Sequence, residues 1–251
     1  MFAAKEADLI VVPDTLALWE EAWVRERGEK ILIALPQIFR ESSRKLAEKA
    51  YAASADLAAG FLVRTAEEAV FLANKRYCGR IVADHSIYGW NTVSATVIRS
   101  WCNDWTYPLE LSGRELEGTF AGKEASTAWM PVYGRIPLMI SAGCIKKTAG
   151  RCGRPGSDLY RLLDRKGETV PVHTDCGHCL NTVYNSVPLY LLHCLDDPVM
   201  QTARTLVLSC SDETADETSA LVRKCQEGLA FGAVPETPSA FTAGHYRKGA
   251  I

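Results

Sequence analysis

The chain has 251 residues, 47% of them apolar, with 28 Lys and Arg against 30 Asp and Glu for a formal net charge of −2. That length buries a sizeable core without covalent staples, and the near balance of charge argues against a whole-surface grip on nucleic acid or anionic membrane. No stretch approaches the ~20 apolar residues that span a bilayer, and the first residues, MFAAKEADLIVVPD, lack the charged and then apolar regions of a secretion signal. Cytoplasm is the expected location, with no membrane partner.

In chain order, short apolar runs alternate with amphipathic segments. The runs are DLIVVP (8–13), ILIALP (31–36), GFLVRT (60–65), RIVADH (80–85), TYPLEL (106–111) and TAWMPVYG (127–134), each with the length and aliphatic content of a buried strand. ESSRKLAEKAYAAS (41–54) and NTVSATVIRSWC (91–102) predict helices. Thr65-x-x-Glu68 and Ser112-x-x-Glu115 open two more as capping boxes. The rhythm predicts a parallel α/β fold, either an open sheet or TIM-barrel-like strands with helices.

From 142 to 203 the rhythm breaks. The segment holds a Gly/Arg-rich stretch, TAGRCGRPG, and then LYRLLDRKGETVPVH, a predicted β-hairpin with Lys166-Gly167 in its turn. RTLVLSC (204–210) reads as a strand again, and DETADETSALVRKCQEGLA (212–230) as a helix whose early acidic residues suit its dipole. The organisation is therefore barrel-type units over 1–141, a cysteine-rich β-hairpin insertion over 142–203, a last strand–helix unit over 204–230 and a loop-like tail over 231–251. Seven strands fall one short of a closed barrel. Either one strand lacks a clear signal, the sheet is open, or the chain is a piece of a longer protein; the last, a partial barrel with the remaining half or a homodimer mate as partner, is the expectation.

Four of the nine cysteines, Cys144, Cys152, Cys176 and Cys179, fall in 142–203, the last two in DCGHC. An odd count and a reducing compartment argue against full disulfide pairing. Thiolates in this pattern suit a zinc site, an iron–sulfur cluster or no metal at all, and the unequal spacing favours the cluster over two zinc knuckles. His178 is a possible further ligand or a solvent-facing loop residue. Cys78, Cys102, Cys194, Cys210 and Cys225 sit in apolar patterns as small buried hydrophobes.

VYGRIPLMISAGC (132–144), LLDRKGETVPVHTDCGHCLNTVYNSVPL (162–189), IVADHSIYGWN (81–91), YPLELSGREL (107–116) and the terminal FTAGHYRKGA together resemble the U32 peptidase family of collagenase-like proteases, in particular the C-terminal half of its long clostridial-type members. The resemblance covers nearly everything beyond about residue 30. It implies a barrel-like fold and a label of collagenase-type proteolysis. It also implies, for members with four matching cysteines, a 4Fe-4S cluster used in oxygen-independent hydroxylation of tRNA or rRNA bases or of quinone precursors. Cys144, Cys152, Cys176 and Cys179 are then the ligands, with zinc or an empty site in protein prepared in air.

Barrel chemistry gathers at the C-terminal ends of the strands. Arg64, Asp84, His85 and Glu110 lie at three such ends as candidate catalytic residues, or else as salt bridges and caps. Lys146, Lys147, Arg151 and Arg154 are candidate phosphate contacts for an RNA substrate, or a solvated charged loop. A small aromatic substrate is the other expectation. No His-Glu-x-x-His or Gly-x-Ser-x-Gly motif supports proteolysis, which stays as an alternative beside a non-catalytic structural or interaction domain.

Overall fold

The computed structural model describes residues 6–14, 21–152, 158–165, 167–232 and 234–250. Its strands, in chain order, are β1 (Ile10–Pro13), β2 (Ile31–Ala34), β3 (Gly60–Val63), β4 (Arg80–Ala83), β5 (Asp104–Thr106), β6 (Ala128–Gly134), β7 (Pro137–Ser141), β8 (Asp158–Leu163), β9 (Thr169–Asp175), β10 (Leu180–Tyr184), β11 (Leu189–Tyr190) and β12 (Thr205–Ser209). Strands β1 to β6 pair in sequence and in parallel, and β12 adds in parallel to β6. The result is a curled sheet of seven parallel strands, an open half-barrel flanked by helices.

The helices are α1 (Ala22–Arg25), α2 (Glu41–Ser54), α3 (Ala66–Asn74), α4 (Thr92–Arg99), α5 (Gly113–Thr119), α6 (Lys123–Ser126), α7 (Ile145–Thr148), α8 (Pro198–Thr202) and α9 (Ala215–Phe231). Both expected capping boxes form, and Asn91–Ser94 and Thr214–Glu217 close two more. Each satisfies backbone donors that the first helical turn leaves without partners. Among the described residues no helix is long and apolar enough to cross a membrane.

Strand alternation divides the apolar residues between two cores. Ile31, Ile33, Phe61, Val63, Ile81 and Ala83 point outward and are covered by helices, joined by Trp105, Phe120 and Leu116. Leu32, Ala34, Leu62, Val82 and Trp129 point inward and fill the barrel's own centre. Both faces are apolar, which is why the sequence shows unbroken aliphatic runs. The fifth strand is displaced from the TYPLEL run to Asp104–Thr106, because Pro108 offers no N–H to a central ladder. At the end of β6 Gly134 has φ +136, and a Cβ there would lie 2.4 Å from the Ser209 carbonyl oxygen on β12, so only glycine allows this approach.

Strands β7, β10, β9 and β8 form a second, antiparallel sheet. Its β8–β9 hairpin is the one expected from LYRLLDRKGETVPVH, Lys166 lying outside the described residues. The sheet begins at Pro137 and ends at Tyr184. Residues after it return to the barrel: β11 pairs with β6, and Leu191, Leu192 and Cys194 are buried in the main core. Among the described residues after α9 the tail holds no helix or strand beyond a single Leu189–Thr242 bridge, but it is anchored. Tyr246 is buried, its hydroxyl donates to Asp197 Oδ2 at 2.9 Å, and its carbonyl accepts from Gly113 N.

Candidate functional site

A cavity of about 1250 Å³ opens at the C-terminal ends of the parallel strands and runs into the barrel. Its walls include Arg64, Asp84 and His85 from the barrel and His173, Thr182 and Tyr184 from the antiparallel sheet, which therefore roofs the mouth. Barrel geometry brings together three of the four expected catalytic residues. Asp84 Oδ1 lies 2.8 Å from His85 Nδ1 and also accepts from His85 N at 2.8 Å. Arg64 Nε donates to Asp84 Oδ2 at 3.3 Å, and its Nη1 donates to the Leu35 carbonyl at 3.1 Å. Glu110 reaches the group through its charge, which favours the protonated form of His85 and raises the Tyr88 pKa.

Burial opposes charge on both members of the pair. At Asp84, the charge and hydrogen bonds of His85 and then the Arg64 guanidinium overcome burial, so the carboxyl titrates well below its usual range. At His85, burial pulls the pKa down, yet the Asp84 carboxylate and its hydrogen bond, with Glu110 adding, leave it raised. Nδ1 is held by Asp84, so Nε2 is the nitrogen left to exchange protons with a bound molecule. Ser86, next in sequence, donates its hydroxyl to the Arg64 carbonyl at 2.9 Å and is a structural tie.

Several contacts around the mouth carried no local sequence signal. Tyr133 donates to Glu213 Oε1 at 2.6 Å, and Glu213 Oε2 accepts from Ser211 N at 2.7 Å. Arg135 bonds Asp212 Oδ1 at 2.7 Å and the carbonyls of Asn185 and Ser186, fastening the antiparallel sheet to the loop before α9. On the other side the DCGHC turn docks on the barrel. His178 is neither exposed nor among thiols: it is 7% accessible and its Nε2 lies 2.9 Å from Asp14 Oδ1, just beyond β1. Glu68 is fully buried beneath Arg64 and receives the backbone N–H of Arg64 at 2.5 Å; burial pushes its pKa to about 8. Its capping box was legible, whereas its burial was not.

None of the nine cysteines is in a disulfide. Asn181 on β10 donates to the carbonyls of Ser141 and Gly143, so the start of α7, with Cys144, and the Cys176–Cys179 turn share one corner of the antiparallel sheet. Lys146 is 2% exposed, with its ammonium 3.1 Å from Cys176 Sγ and 2.6 Å from Asp158 Oδ2. Cys179 sits in the left-handed region with φ 52, and Cys152 is exposed beyond α7. Among the described residues no three His, Cys, Asp or Glu side chains are grouped to hold a metal. The donors fit a soft metal in kind, but as placed they do not form its site. Of the candidate phosphate contacts, Lys146 points inward, Lys147 and Arg151 are exposed, and Arg154 lies outside the described residues. Of the remaining thiols, Cys102, Cys194 and Cys225 are buried as expected, but Cys78 and Cys210 are exposed.

No family model matches this chain, and neither does a curated protein or a solved structure.

Proposed function

We propose that this chain is an enzyme of the U32 type that binds a polar, planar substrate, an RNA base or a small aromatic molecule, in the mouth of the half-barrel. The observation that carries the reading is the Asp84–His85 pair, 2.8 Å apart on the wall of a cavity large enough for such a substrate. His85 moves a proton through Nε2, Asp84 fixes its tautomer, and Arg64 with Glu110 sets the charge around it. The half-buried Tyr184 ring and the buried Thr182 hydroxyl of the roof suit a planar substrate edge better than an extended peptide.

Within this reading Cys144, Cys152, Cys176 and Cys179, which would have to draw closer together than they lie here, would hold a 4Fe-4S cluster that would supply electron transfer for hydroxylation. The acid–base chemistry of His85 is assigned without it. The test is iron, zinc and acid-labile sulfide content of protein purified without oxygen, beside a Cys176→Ser variant. About four irons and four sulfides per chain, lost in the variant, support the cluster enzyme. One zinc without sulfide removes the hydroxylation reading.

A further inference from the structure

The antiparallel sheet crosses the barrel mouth as a bar, and its contacts fix which barrel strand each part of it overlies. On β10, Thr182 Oγ1 lies 3.4 Å from Gln37 Oε1 in the loop after β2. Two residues on, and so on the same face, Tyr184 feels the charge of the Arg64 guanidinium at the end of β3. Past the strand, the carbonyls of Asn185 and Ser186 accept from Arg135, just after β6. The bar therefore runs from β2 over β3 toward β6, and the end of β4, with His85, lies along its flank. Strand alternation aims one face of β10 into the cavity: Leu180, Thr182 and Tyr184 line it, whereas Asn181 and Val183 do not.

Two donors at this point are left to a ligand. Arg64 donates through Nε to Asp84 and through Nη1 to the Leu35 carbonyl, and among the described residues Nη2 makes no hydrogen bond. Burial raises the Tyr184 pKa against the Arg64 charge and a hydrogen bond with the Thr182 side chain, so the phenol keeps its proton at neutral pH. We infer that Tyr184 Oη and Arg64 Nη2 together bind the carbonyl-type oxygen of a planar ring compound, a ring carbonyl or an aromatic carboxylate, and turn its ring edge toward His85. The inference rests on the enzymatic reading of the mouth and names the substrate class that the mouth takes. Both groups are donors, so the atom they hold is an acceptor. Arg64 already faces Asp84 at 3.3 Å, which suits a neutral or singly charged oxygen and not a phosphate dianion. Leu109 and Leu180 supply apolar wall for the ring.

The test uses three probes: uracil, with neutral ring carbonyls; benzoate, with a carboxylate; and aniline, which keeps the ring but carries no such oxygen. Binding is followed by NMR at the His85 imidazole and at the Tyr184 Cζ resonance, in the parent and in Tyr184→Phe, which keeps the ring and loses the donor. Uracil or benzoate is expected to move both signals saturably, and the one that does so identifies the source of the oxygen. Aniline moves neither, and Tyr184→Phe weakens binding of the active probe about tenfold while the His85 titration in the free protein stays in place. Binding that moves His85 but leaves Tyr184 Cζ still in the parent, or that is equally tight in Tyr184→Phe, overturns the inference and leaves the enzymatic reading standing. Aniline binding as tightly as the other two does the same. If no probe moves the His85 signal, both the inference and the enzymatic reading of the mouth fall. The Cζ measurement is made on the parent alone, so a variant that does not fold leaves the inference open to refutation.

Discussion

His178 Nε2 and Asp14 Oδ1 lie 2.9 Å apart across 164 residues of sequence, with both side chains almost fully buried. This pair holds the DCGHC turn against the end of β1, aided by Arg40, which donates to the His178 carbonyl at 3.3 Å. It connects the cysteine corner to the barrel mouth. Burial disfavours the imidazolium, but the Asp14 hydrogen bond and charge, with Asp175 adding and Arg40 subtracting, leave the His178 pKa raised.

His178→Ala strands Asp14 as an unpaired buried carboxylate, and a loss of about 3 kcal/mol in urea unfolding is expected. The sign with pH follows from the raised pKa. The contribution is fully present below the unfolded value of 6.5 and is lost as pH rises through the folded value. Stability curves of the parent and variant should therefore converge toward alkaline pH. Parallel curves from pH 5 to 9 would contradict the clamp.

Glu68 runs the other way. Its pKa is raised by burial to about 8 from 4.5, so the unfolded chain ionises first and stability falls as pH climbs from about 4.5 through about 8. Glu68→Gln keeps a carbonyl oxygen for the N–H groups of Arg64 and Thr65, which Glu68 Oε2 accepts in the parent. The variant is expected to flatten that slope and to be more stable than the parent at pH 8. Equal pH slopes in thermal melts would show that Glu68 is not the group responsible.

At the opposite end of the barrel Asp104, 1% exposed, receives Arg80 at 2.6 Å and Arg204 at 3.3 Å, and Arg80 stacks 5.6 Å from the Trp129 ring. Asp104→Ala leaves two cations without their shared buried carboxylate, and a cost of about 3–5 kcal/mol is expected. Arg80, Arg204 and Trp129 line the same cavity as His85, so ligand binding by whatever fraction remains folded is expected to weaken as well. Chemical denaturation together with binding measurements separates the two effects.

These residues also mark where sequence reading succeeds and where it stops. The aliphatic runs located six of the seven parallel strands, since a strand buried on both faces has no polar alternation to hide it. Thr65–Glu68 and Ser112–Glu115 located helix starts, because capping is a contact over three residues. Arg64, Asp84 and His85 came together because strand ends in a parallel barrel share one mouth. The pairing of His178 with Asp14 and of Lys146 with Asp158 had no local signal. The first is fixed by docking of one sheet on another, and the second by a contact between α7 and β8. For the same reason residues 189–203 looked like part of the cysteine segment, although Leu191 and Leu192 belong to the main core. The motif resemblance read from the sequence pointed to four cysteines but carried no information on how close their sulfurs lie.

If His85 transfers a proton in the mouth, its imidazole is tuned by Asp84, and NMR titration of that ring with Asp84→Asn as the comparison reads this out. A pKa above 6.5 is expected in the parent protein and a fall in the variant, where burial and Arg64 act without the Asp84 carboxylate. An imidazole that titrates at or below 6.5 in the parent, or one that Asp84→Asn leaves unmoved, would contradict it.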